Sequence, residues 1–169
     1  MHKAKLVVYL LLVVSALTIG AGLAAAWHQG YRMYAVRTGS MSPAYPTGAL
    51  IVDAPARSRT PVVGDVITFR TLDGLVTHRV HSREAQGLRT KGDANHAPDT
   101  WVIAPHRVEG LVSWGLAGGG YVLVFLQQPT GLAALMVLLV SVVLAWSIFF
   151  PAAGVAVPRG AASRVPLSH

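Results

Sequence analysis

The chain has no cysteine, which excludes disulfides, a thiol nucleophile and thiolate metal sites together. Charge is scarce as well. Asp, Glu, Lys and Arg make up 12% of the residues, whereas 53% are hydrophobic, too apolar a balance for an ordinary soluble domain. No acidic residue lies in either terminal tail, and no basic run interleaved with aromatics is found. The net charge of +7 therefore does not argue for nucleic acid, and we expect no nucleic-acid partner. Repeats and low-complexity tracts are missing too. No Gly-Lys-Ser/Thr follows the glycine-rich stretch Gly115–Gly120, so a phosphate loop is excluded and the stretch reads as a flexible hinge.

What is abundant is concentrated at the ends. Leu6–Ala26 and Leu132–Phe150 are free of charge and rich in aliphatic residues. At about 1.5 Å per residue each is long enough to cross a hydrocarbon core of roughly 30 Å. Ala24-Ala25-Ala26 has the look of a signal-peptide cleavage site, but the apolar run before it exceeds the usual length of such segments, which favours a retained anchor. Lys3 and Lys5 precede the first run, and Arg159 and Arg164 follow the second. Positive flanks stay on the cytoplasmic side. The expected organisation is a cytoplasmic tail and transmembrane anchor over 1–27, an extracytoplasmic β-rich catalytic domain over 28–131, a second transmembrane helix over 132–151 and a cytoplasmic tail over 152–169. The expected location is the cell membrane, with the lipid bilayer as a partner and outward-facing arginines able to touch anionic head groups. Trp27, Tyr31 and Tyr34 read as an aromatic collar at the outer interface.

The 169 residues leave room for one modest domain between the spans. Short β-type runs with Gly/Pro turns occur at 48–53, 62–69 (strand, turn or bulge, strand), 76–81, 88–91, 101–104 and 107–112. Ala54–Pro61 and Gly92–Asp99 read as loops, and Tyr121–Leu126 as an apolar piece lying along the interface. In Leu72-Asp73-Gly74-Leu75, Asp-Gly would supply the left-handed pair of a tight hairpin. The fold class expected is a mainly β catalytic domain with a transmembrane helix at each end.

One turn in this domain is set up for chemistry. In Thr38-Gly39-Ser40-Met41-Ser42-Pro43, glycine frees the backbone before Ser40 and proline restrains it after. A serine hydroxyl needs a neighbouring base to become a nucleophile. The candidates are His28, His78, His81, His96, His106 and Lys91, the only lysine outside the tails. Strand alternation places Val76, His78 and Val80 on one face, which favours a partly buried, neutral imidazole able to accept a proton. Asp93 and Asp99 could hold that imidazole in one tautomer.

The ordered set Gly39-Ser40-Met41-x-Pro43, Gly64-Asp65-Val66-Ile67-Thr68-Phe69, His78-Arg79-Val80 and Lys91-Gly92-Asp93-x-Asn95 resembles type I signal peptidase. The likeness is to the branch of the endoplasmic reticulum, archaea and some Gram-positive bacteria, where histidine replaces the lysine base of the common bacterial branch. The resemblance implies Ser40 as nucleophile, His78 as general base, Asp99 as orienting carboxylate and Asp93 in a supporting role. The oxyanion would be held by the Ser40 N–H with help from Thr38, and Met41 and Lys91 stand as support within the matched motifs. It implies a serine endopeptidase without cofactor or metal, acting on signal peptides of exported preproteins with small residues at −1 and −3. The sequence departs from the family at Gly48-Ala49, where Gly-Asp is usual. Pro98 turns the chain between the two carboxylates, so either Asp93 or Asp99 is free to face His78. Three other readings remain: a Ser/Lys protease using Lys91, a metal protein built on His78, His81, His96 and His106, and a non-catalytic membrane adaptor. Spacing puts His78 and His81 on opposite strand faces, against a joint metal site.

Overall fold

The computed structural model describes residues 2–150, so the tail expected over 152–169 lies outside the described residues. Helix α1 (His2–Gln29) leads into seven strands: β1 (Arg32–Ala35), β2 (Leu50–Pro55), β3 (Val66–Thr71), β4 (Gly74–Glu84), β5 (Gly87–Lys91), β6 (Val102–Ile103) and β7 (Val108–Leu116). Helices α2 (Gly119–Leu126) and α3 (Pro129–Phe149) follow. The strands form one antiparallel sheet in the order β1-β2-β7-β3-β4-β5-β6. The fold is thus a mainly β domain with an apolar helix at each end, as the composition implies.

Both terminal helices are long and apolar enough to span a membrane, over Leu6–Gln29 and Pro129–Phe149, and neither window is buried in the protein. They meet where Tyr9 sets its ring edge-on to Trp146, with centroids 6.4 Å apart. Tyr9 is near the start of α1 and Trp146 near the end of α3, so the helices run antiparallel.

One face of the sheet carries the core. Ile67, Phe69, Val80, Leu88, Ile103, Val108 and Leu111 form a single buried cluster, with Val76 packed against it. The alternation on β4 is as expected, with Val76, His78 and Val80 on this face. The β3–β4 pairing sets Ile67 opposite His78 and Thr68 opposite Thr77. A one-residue slip would turn His78 out of the core, so burial of Ile67 and Phe69 specifies the position of the imidazole.

Four local expectations are corrected. Val62 and Val63 are exposed and belong to no strand; Asp65 bonds the Val62 N–H and closes a turn there instead. The β3–β4 hairpin has Leu72–Asp73 as its two-residue loop, because Thr71 pairs with Gly74. Gly74, the first residue of β4, has a positive φ of 126°, and the Thr71 hydroxyl donates to its carbonyl. Tyr34 leaves the aromatic collar because β1 turns it towards the groove described below. Trp27, by contrast, stays on α1 with the Arg32 guanidinium 3.9 Å above its ring.

The glycine-rich stretch is the fourth correction. Gly115 and Leu116 end β7, and Gly119–Gly120 open α2. A Cβ on Gly120 would lie 2.6 Å from the Ala49 carbonyl, and its N–H donates to Gly48 O. These glycines let a helix end sit directly on strand backbone, a packed corner in place of a hinge.

Candidate active site

Ser40 lies in a turn between β1 and β2. The turn is closed by Ser42 N–H donating to Gly39 O and Tyr45 N–H donating to Met41 O, and Met41 is buried beneath it. The Ser42–Pro43 peptide is cis. The loop after β5 holds the turn from the other side, where the Ala94 N–H donates to the Ser40 carbonyl at 2.9 Å. A Cβ on Gly92 would lie 2.7 Å from that carbonyl oxygen, so only glycine lets the loop approach so closely. The Lys91-Gly92-Asp93 motif is in this way the dock for the serine turn.

Residues remote in sequence converge here. His78 Nε2 lies 3.2 Å from Ser40 Oγ, and His78 Nδ1 lies 2.7 Å from Asp99 Oδ2. His78 and Asp99 are buried, and Phe69 packs edge-on against the imidazole with centroids 6.4 Å apart. A carboxylate only accepts, so Nδ1 carries the proton and Nε2 is left as acceptor for the serine hydroxyl. Thr38 Oγ1 lies 3.3 Å from Ser40 Oγ on the open side.

The structure separates the two aspartates. Asp99 faces His78, whereas Asp93 receives two hydrogen bonds from the Arg79 guanidinium, at 2.8 and 2.7 Å. Arg79 also donates to Gly64 O, so this pair ties the loop after β5 to the turn before β3. Lys91 lines a different hollow, with Val63, Gly64, Arg79, Val80, His81 and Asp93, because strand alternation sends it away from its neighbour Thr90. It is not among the residues lining the Ser40 groove. Among the described residues no group of histidines and carboxylates is arranged to hold a metal ion; His81 is exposed on the face opposite His78.

Thr90 is a site residue that the sequence reading does not single out. It is fully buried, and its hydroxyl donates to Asp99 Oδ2 at 2.6 Å. The Asp99 N–H donates to Thr90 O, and Arg89 donates to the Asp99 backbone carbonyl, so β5 holds this residue by its backbone on two sides and by its carboxylate on a third. The only sequence signal is its alternation with Leu88 in a short strand, which ordinary core residues share.

Ser40 and His78 open onto a groove of about 650 Å³ lined by Tyr34, Val36, Thr38, Met41, Ile51 and Thr68, and by the hairpin from Asp73 to His78. A hydroxyl bonded to an imidazole beside an open groove is an arrangement that can support acyl transfer on an extended chain.

The chain is 32% identical over 162 residues to the signal peptidase complex catalytic subunit SEC11 of Tuber melanosporum, covering 79% of this chain and 86% of that one. The chain belongs to the signal peptidase family. Signal peptidase I W of Bacillus subtilis is 36% identical over 112 residues, which cover 61% of this chain and 56% of that protein. The chain thus spans a little over half the length of that bacterial relative. No family model matches it. Signal peptidases are serine peptidases, so the chain is a hydrolase.

Proposed function

We propose that the chain is a membrane-anchored serine endopeptidase that removes N-terminal signal peptides from exported preproteins. The observation that carries this reading is the continuous path from Ser40 Oγ through His78 to Asp99. His78 Nε2 takes the hydroxyl proton as Ser40 Oγ bonds the scissile carbonyl carbon. The proton then passes to the departing amine, which is the new N-terminus of the mature protein. Water attacks the remaining ester with His78 again as base, and the signal peptide leaves as a carboxylic acid. Asp99 holds the imidazole in the tautomer this requires and favours its charged form.

The oxyanion is stabilised by the Ser40 N–H, assisted by the Thr38 hydroxyl. Asp93 acts on the site indirectly, by fixing through Arg79 the loop that docks on Ser40. Met41 supports the turn from below. Lys91 has no part in proton transfer.

The membrane arrangement belongs to the same proposal. Residues 1–27 anchor the chain, 28–131 form the catalytic domain outside the plasma membrane, 132–151 return through it and both tails are cytoplasmic. The antiparallel contact of Tyr9 with Trp146 supports termini on one side. A preprotein held in the same bilayer presents its cleavage segment to the groove as an extended strand, with small side chains at −1 and −3 facing its floor.

The test uses the full-length chain in detergent with a purified preprotein, followed by sequencing of the new N-terminus. Cleavage after a small residue is expected, and the Ser40→Ala protein should leave the preprotein intact. Equal cleavage by Ser40→Ala would end this reading.

A further inference from the structure

The groove floor is polar where a pocket for small aliphatic side chains needs no polar atom. Thr68 and Thr77, opposite each other on β3 and β4, both line it, and their hydroxyls lie 2.9 Å apart in a hydrogen bond. That bond uses one of the two hydroxyl protons; Thr68 is fully buried with its hydroxyl beside the Asp53 carboxyl, whereas Thr77 is half-buried and keeps a lone pair open to the groove. On the same face, Asp53 is 2% exposed, and neither carboxyl oxygen has a hydrogen-bond partner. Asp53 sits against Gly110, which pairs with Thr68; a Cβ there would lie 2.8 Å from that of Asp53. The floor of an otherwise apolar slot, with Ile51 and Val36 beside it, thus holds two hydroxyls backed by a buried carboxyl.

We propose that Thr77, held by its bond to Thr68, selects a hydroxyl-bearing side chain, serine or threonine, at the third residue before the scissile bond. This deepens the peptidase reading and rests on it. An extended substrate points alternate side chains at the floor, about 6.6 Å apart. The proposed pose sets the scissile carbonyl at Ser40 Oγ, the residue before the bond beside it, and the next residue to face the floor against Thr77. Valine there dries the Thr77 hydroxyl without offering its open lone pair a partner. Threonine, of the same shape, donates its hydroxyl proton to the open lone pair of Thr77 Oγ1. A site built to bond a hydroxyl discriminates against the isostere that lacks it, whereas an apolar slot separates the two weakly.

The experiment compares peptides from one preprotein that differ only at −3, carrying alanine, valine or threonine, with the same series at −1 alongside. The full-length enzyme in detergent should show kcat/KM about 3- to 10-fold higher for threonine than for valine at −3. The Thr68→Val/Thr77→Val protein should reverse that order while still cutting the alanine peptide; Thr77→Val alone, at a half-buried position, should reduce the ratio if the double variant does not fold. Valine cut as well as threonine by the parent, or a ratio unchanged in the variants, overturns the proposal and leaves the peptidase reading standing. If no peptide is cut, the peptidase reading falls and this one with it.

Discussion

Thr90 Oγ1 and His78 Nδ1 share a single acceptor, Oδ2 of Asp99, at 2.6 and 2.7 Å. The carboxylate that orients the proposed base is itself oriented by a buried hydroxyl from the neighbouring strand. Without that hydroxyl one lone pair of a buried oxygen loses its donor, and the carboxylate gains freedom to rotate away from His78.

Thr90→Val should therefore lower kcat on the order of 10-fold with a smaller change in KM, and Thr90→Ser should recover most of the loss. Steady-state kinetics on a cleavable preprotein checks both. If the serine variant were as poor as the valine one, the hydroxyl would not be what matters at this position.

Ser40→Ala and His78→Ala should each reduce cleavage by at least about 10³-fold, since removing one member of such a unit loses most of its effect. Thr38→Val should cost less, roughly 10²-fold, as expected for one oxyanion donor. Lys91→Met should stay within about 3-fold of the parent, because its side chain lies in another hollow. A Lys91 variant as inactive as Ser40→Ala would transfer the role of base to the lysine.

The dock between the loop after β5 and the serine turn has its own test. Gly92→Ala puts a methyl within 2.7 Å of the Ser40 carbonyl and should move the two apart, with a loss of about 10-fold or more in kcat. Asp93→Asn weakens the paired hydrogen bonds from Arg79; because that pair is partly solvent-exposed, the loss of stability should be about 1 kcal/mol or less. Thermal unfolding and activity measured together should show Gly92→Ala hitting kcat harder than Tm.

Asp53 makes stability depend on pH. Burial pushes its pKa from 3.8 up to about 6, against an opposing pull from the neighbouring Thr68 hydroxyl. A carboxyl whose pKa rises on folding holds its proton more tightly in the native state. Its burial is therefore tolerated below the unfolded value, and stability falls as pH rises from about 3.8 to about 6 and levels off above, by on the order of 3 kcal/mol in all. Asp53→Asn cannot ionise, so Tm of the variant minus Tm of the parent should increase between about pH 4 and about pH 7.5. A difference constant across that range would mean the carboxyl does not titrate there.

Much of this molecule is legible along the chain because the relevant physics is local. Strand alternation in Val76–Val80 placed His78 on the core face, and uninterrupted aliphatic runs marked the two terminal helices. Where the local reading failed, neighbours from elsewhere decided. The Asp73-Gly74 pair did not form the turn, since core packing of Ile67 and Phe69 set the strand register. The glycines near 118 were not a hinge, since a helix end packs on the Gly48–Ala49 backbone. Tyr34 left the collar because β1 pairs with β2 and turns its ring to the groove.

By itself the sequence determined which chemistry was possible: no thiol, an alcohol on a restrained turn, one histidine on an apolar face, and two spans to hold them at a membrane. Which groups meet was decided only by the tertiary structure. Ser40 and His78 are 38 residues apart, and His78 and Asp99 are 21 apart. Such contacts depend on sheet register and on a loop docking against a turn, which no local periodicity encodes. For the same reason only the folded sheet could assign Asp93 to Arg79, send Lys91 away from the serine, put Thr90 behind the carboxylate and line the groove with Thr68 and Thr77.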